Sequence, residues 1–147
     1  MKTENKQNLY GVALTVLWGL FLFRVLAQLV QSLFPTSFLP AFDQWHSGTL
    51  PYPVLVIFQV VILLVCLKVI IDFFQGKVSP LLLKGKLFAL FGMGYFGVMI
   101  GRLLTGIIYP DAHSWFLVKI PTIFHLVLAS FLIVMGHYHL RYARVRQ

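Results

Sequence analysis

Acidic side chains are scarce in this chain: four Asp and Glu stand against twelve Lys and Arg in 147 residues. Asp72 is the one acid in a long apolar run, and Lys68, four residues before it, can pair with it on one helix face. That leaves Arg24 and Arg102, each near the middle of an apolar run, with no acid at their own depth. A charge at a bilayer centre costs at least about 2.5–3.5 kcal/mol on insertion scales. The two arginines therefore call for a partner, either a loop acid or a group outside the sequence. Cysteine is equally scarce. Cys66 is alone, so there is no intrachain disulfide and no CxxC, and thiol–disulfide chemistry is excluded. No A-x-A site follows the first apolar stretch, which exceeds the roughly 7–15 residues of a signal-peptide core, so helix one is expected to stay.

Charged residues make up only 11% of the chain and apolar residues 59%, with a mean hydropathy of +0.86. A soluble domain carries about 25% charged and 45–50% apolar residues, so this composition excludes one. Four apolar runs, at about 9–34, 52–74, 87–109 and 120–140, have the roughly 20-residue length of transmembrane helices. They are continuous, whereas a membrane β-barrel needs alternation over roughly 10-residue strands. The expected fold is all-α: an integral membrane four-helix bundle forming a single domain over 1–147.

The net charge of +8 is unevenly placed. Lys2, Lys6, Lys77, Lys84, Lys86, Arg141, Arg144 and Arg146 fall on one side of the four runs. Asp43, Asp111 and Lys119 fall on the other. This is the positive-inside asymmetry, and it predicts both termini in the cytoplasm of a multi-pass protein of the bacterial inner membrane. The basic tail then rests on anionic lipid headgroups rather than on nucleic acid.

Depth gives the strongest functional signal. Arg24, Gln59, Arg102 and His125 each lie about three to five residues outward of their run's midpoint, one per helix. At the helical rise they share a level roughly 5–8 Å from centre. Gln28 and Gln31 extend the Arg24 face at i+4 and i+7, and Tyr95 and Tyr109 flank Arg102 at seven residues either way. The outer loop 35–51 holds Asp43, Trp45 and His46 between prolines. It reads either as an interfacial segment with Trp45 in an aromatic belt or as a lid over the bundle mouth. Asp43 and Asp111 are the candidate counterions if the loops fold inward.

The expected function is an outward-opening polar site that binds an anionic or carbonyl-bearing membrane ligand such as a lipid or quinone. Arg24, Arg102, Gln28, Gln59, Tyr95 and Tyr109 would bind it, and His125 would transfer a proton. Plain readings stand beside this one: the glutamines as interhelical glue, His125 as a core histidine, and the arginines as snorkelling. Haem would need two facing histidines; only His125 lies mid-run, so His46 would have to supply the second. His46, Asp43, His113 and Asp111 have no diagnostic metal-ligand spacing. Gly92-Met-Gly94-Tyr-Phe-Gly97 matches a nucleotide fingerprint by letter only, since no strand precedes it. Gly94, Gly97, Gly101 and Thr105 instead form a small-residue stripe that would seat helix three on a neighbour or join a homo- or hetero-oligomer. Two other functions remain: a subunit whose arginines meet another protein's acids, and a small anion or proton-coupled transporter. The inner halves of the runs are apolar apart from Lys68 and Asp72, which counts against transport.

Overall fold

The computed structural model describes residues 2–46, 48–109, 111 and 113–143. The expected basic-tail residues Arg144 and Arg146 lie outside the described residues. The elements are α1 (Lys2–Leu33), α2 (Phe42–Trp45), α3 (Tyr52–Phe74), α4 (Leu82–Ile108), α5 (Ser114–Leu117) and α6 (Lys119–Ala143). Four of them, α1, α3, α4 and α6, are long and apolar enough to cross a membrane. Helices one and three begin earlier than the apolar runs that announced them, at Lys2 and Leu82 rather than 9 and 87. Lys and Gln are good helix formers, so helical hydrogen bonding continues past the apolar part until a breaker stops it. Each outer loop also contains one short helix, α2 or α5.

The turn between α3 and α4 is set by Gly76. Its φ of +67° is the left-handed conformation that favours glycine. With it, Gly76 N–H donates to the Phe73 carbonyl at 3.2 Å and Lys77 N–H to the Asp72 carbonyl at 3.0 Å, closing the α3 C-terminus. Pro53 sits in the first turn of α3, where a missing N–H costs nothing.

Main-chain packing runs α3–α1–α6–α4, with α3 and α4 at the two ends of the row. Gln7 of α1 donates to the Val78 carbonyl at 3.0 Å and to the Tyr138 hydroxyl at 2.7 Å, and Tyr10 is hydrogen-bonded to His137. The start of α1, the 75–81 turn and the end of α6 thus share one end of the bundle, here the terminal end. Helices α2 and α5 lie at the opposite, loop end. One core cluster joins Leu14, Ile70, Phe73, Phe131, Met135 and Tyr138; a second joins Phe21, Val25 and Leu63. Across the second, Trp18 donates its indole N–H to the Leu63 carbonyl at 3.0 Å.

The amphipathic pattern of α1 is the reverse of a soluble helix. Val12, Val16, Leu20 and Phe23 are exposed, whereas Arg24, Gln28 and Gln31 are buried. An apolar exterior over a polar interior suits a hydrocarbon surround.

Helix α4 carries a seven-residue repeat of buried positions, Gly85, Gly92, Met99 and Gly106; Gly85 and Gly92 meet α6, whereas Gly106 meets the Phe116 backbone of α5. A Cβ at Gly92 would fall 2.9 Å from the Ile133 main-chain nitrogen, and one at Gly136 on α6 would fall 2.6 Å from that of Ala89. The backbones touch there because no side chain intervenes. This corrects the expected role of Gly94, Gly97 and Gly101. Among the described residues nothing lies within 4 Å of a Cβ built at any of the three, so they seat none of the described helices. Gly136→Ala is accordingly expected to lower the stability of the detergent-solubilised protein by about 1–3 kcal/mol through overpacking. Gly97→Ala should leave the thermal midpoint unchanged or slightly raised, and a thermal melt of both variants checks this.

Candidate functional site

Arg24, Gln59, Arg102 and His125 lie nine, seven, six and six residues from the loop-end limits of their helices, Leu33, Tyr52, Ile108 and Lys119 (33 − 24, 59 − 52, 108 − 102, 125 − 119). Each of the four thus sits six to nine residues inside the loop end of its helix. Because the helices form a row, however, the polar residues at this level form two adjoining groups.

The first group lies between α1 and α3. Arg24 is 5% exposed, Gln28 0% and Gln59 3%. Arg24 Nη2 donates to the Trp45 carbonyl at 3.2 Å, and its guanidinium lies 5.8 Å from the centre of the Phe124 ring. Gln59 Nε2 donates to Gln28 Oε1 at 3.3 Å. Three buried atoms of this group have no hydrogen-bond partner among the described residues: Arg24 Nε, Gln28 Nε2 and Gln59 Oε1. Two are donors and one is an acceptor. Leaving such a group unmet costs about 1–3 kcal/mol each. Gln31 stands apart from the site. Its Oε1 accepts from the main-chain N–H of Thr36 at 3.0 Å and from the Thr36 hydroxyl at 3.1 Å, which closes the exit of α1.

The second group lies between α4 and α6. Arg102, 3% exposed, donates from Nε at 3.0 Å and Nη2 at 2.6 Å to the single carbonyl of Trp115. Its guanidinium lies 4.0 Å from the Trp115 ring centre, a cation–π contact. Beneath it the Tyr95 hydroxyl is hydrogen-bonded to His125 Nδ1, with the two rings edge to face.

The loop residues divide. Trp45 is buried at 4% exposure, with its ring against Phe124 and its indole N–H donated to the Pro40 carbonyl at 2.9 Å. It lies inside the bundle mouth and not in an interfacial belt. His46 packs edge to face on Tyr52, and its buried Nδ1 has no hydrogen-bond partner. Asp43 and Asp111 are exposed, and neither forms an ion pair with Arg24 or Arg102. That corrects the counterion expectation: main-chain carbonyls meet the guanidinium groups. Tyr109, expected to extend the Arg102 face, is 63% exposed at the end of α4 and does not reach the site. Lys68 and Asp72 pair at 2.8 Å, as the spacing predicts.

Phe124 and the carbonyls of Trp45 and Trp115 were not foreseen. A carbonyl belongs to every residue type and leaves no mark in sequence. The one available hint was that both outer loops carry a Trp near their own short apolar segment.

No family model, curated protein or solved structure matches the chain.

Arg102 ties α5 to α4 through one carbonyl. Arg102→Met is expected to cost about 1.5–3 kcal/mol, the worth of hydrogen bonds to a charged group. It should also release α5, so that trypsin cuts at Lys119 faster in a limited digest. Arg102→Lys should recover only part of the protection, since an ammonium cannot make the paired guanidinium contact.

Proposed function

We propose that this chain is a multi-pass protein of the bacterial cytoplasmic membrane that holds the carbonyl or anionic head of a membrane-soluble ligand at its loop end. The observation carrying this reading is the set of unpartnered buried atoms: Arg24 Nε, Gln28 Nε2 and Gln59 Oε1. Two donors beside one acceptor suit a ligand with a carbonyl or carboxylate oxygen and a neighbouring hydroxyl, as in a quinol, a hydroxy acid or a lipid ester. Arg24 and the two glutamines bind that head under Trp45, which acts as a lid. Arg102 adds positive potential from the adjoining group. His125, hydrogen-bonded to Tyr95, is the group placed to carry a proton to or from the ligand.

The orientation in this reading puts the terminal end in the cytoplasm. Lys6, Lys77, Lys84, Lys86 and Arg141 gather there, against Asp43, Asp111 and Lys119 at the loop end. On a Cys66→Ser background, Ala41→Cys should react with a membrane-impermeant maleimide on intact cells, and Gln75→Cys should react only after permeabilisation. The reverse pattern would invert the topology.

The binding reading is tested by native mass spectrometry of the gently solubilised protein. A non-protein mass retained by wild type should be lost in Arg24→Gln and in Gln28→Leu/Gln59→Leu. The double variant should melt at or above the wild-type temperature, because apolar replacements remove the unmet amides. Retention of the full mass by both folded variants would sink the proposal.

The subunit reading is favoured by one observation: the Gly94, Gly97 and Gly101 stripe has no covering element among the described residues. A second copy or another membrane helix would pack there. If so, Gly97→Leu shifts the mass of the solubilised assembly to that of a single chain.

A further inference from the structure

At the terminal end, α3 and α4 part and leave a cleft of about 450 Å³. This lies within the roughly 300–1,000 Å³ range of ligand sites. Its floor is α6, with Met135 and His139; its apolar walls are Val69 of α3 and Phe88 of α4; Ser79 and Lys77 from the turn, with Lys84 of α4, form a cationic rim. Asp72 also lines it, but its carboxylate is held by Lys68 at 2.8 Å.

The cleft is built and not accidental. Glycine contacts fix α4 against α6, while α3 packs on α1, so the gap between α3 and α4 follows from the packing order. The turn above it is pinned, because the Val78 carbonyl accepts from both Gln7 and Tyr138. At the back, His139 is 3% exposed and stacks on Phe88. Its Nδ1 accepts the Leu81 main-chain N–H at 3.1 Å, which leaves Nε2–H as the neutral ring's remaining donor.

We propose that this cleft binds an anionic phospholipid, with the phosphate on Lys77, Lys84, Ser79 and His139 Nε2 and an acyl chain lying against Phe88 and Val69 between α3 and α4. Phosphate suits two ammonium groups, a hydroxyl and an imidazole N–H, all donors, and the apolar walls exclude a free soluble ion as the whole occupant. The site is separate from the loop-end group. It rests on the membrane reading of the chain but not on the Arg24 ligand.

The test is lipid titration followed by native mass spectrometry, using phosphatidylglycerol and phosphatidylcholine with identical chains. Wild type should retain phosphatidylglycerol over phosphatidylcholine by on the order of tenfold, from two lysines near the headgroup. Lys77→Gln/Lys84→Gln should abolish the preference, and Lys77→Arg/Lys84→Arg should keep it, with circular dichroism confirming that both are folded. Arg24→Gln should keep it too, which separates this outcome from failure of the loop-end site. Equal retention of the two lipids by wild type, or a preference that survives in the glutamine variant, would overturn the proposal. Displacement of the lipid by millimolar inorganic phosphate would also overturn it, in favour of a soluble anion.

Discussion

The structure depends on how two guanidinium groups are satisfied inside an apolar bundle. Arginine stays charged at any accessible pH and carries five donors and no acceptor. In a low-dielectric surround those donors need oxygens. The chain supplies them from main chain, at Trp45 and Trp115, and this choice dictates the loop end. To bring a carbonyl to Arg24 the 35–51 segment must turn inward, and α2 is the turn that achieves it. To bring one to Arg102 the second loop must do the same, and α5 results. The Trp45 indole then covers Phe124 beside the charge, and the Trp115 indole lies on the Arg102 guanidinium itself. A carbonyl oxygen carries no net charge, so the site keeps its net positive charge, which a salt bridge would have cancelled.

The rest of the bundle follows from an interior more polar than its exterior. Helices in hydrocarbon gain little from hiding leucine, so they associate through close backbone approach and interhelical hydrogen bonds. Both devices appear. Gly85, Gly92 and Gly136 bring α4 and α6 into contact, and Trp18, Gln7 and Gln59 reach across to other elements. Residual unmet donors and acceptors concentrate at the loop end, beside the charge. A polar interior tolerates such atoms best where something else can meet them.

Much of this was legible in sequence, for identifiable reasons. Long apolar runs fix helix number because nothing else accounts for them, and the spacing of Gln28 to Arg24 places both on one inward face. The common depth of Arg24, Gln59, Arg102 and His125 is a matter of counting along helices of known rise. What counting cannot give is the order of helices around the bundle, so one site was expected where two adjoining groups exist. It also cannot weigh small residues. Gly94, Gly97 and Gly101 match a spacing motif, yet Gly85 and Gly92, at a seven-residue interval, are the ones backbone geometry uses. Tyr109 failed because it caps the end of α4 and stays exposed, and the aspartates failed because they remain on the exposed side of their loops while main-chain carbonyls face the arginines.

The position of α6 in the row has a consequence for biogenesis. The last of the four long described helices in chain order is central: it touches α1 on one side and α4 on the other. Until it arrives, α1 and α3 can pair, but α4 has only the short α5 packed on it, and the backbone surfaces of Gly85 and Gly92 stay uncovered. The two halves of the chain therefore cannot mature in order of synthesis. The first hairpin and α4 must wait side by side for a helix that completes both at once, and any nascent chain that stalls before residue 119 remains two unjoined pieces.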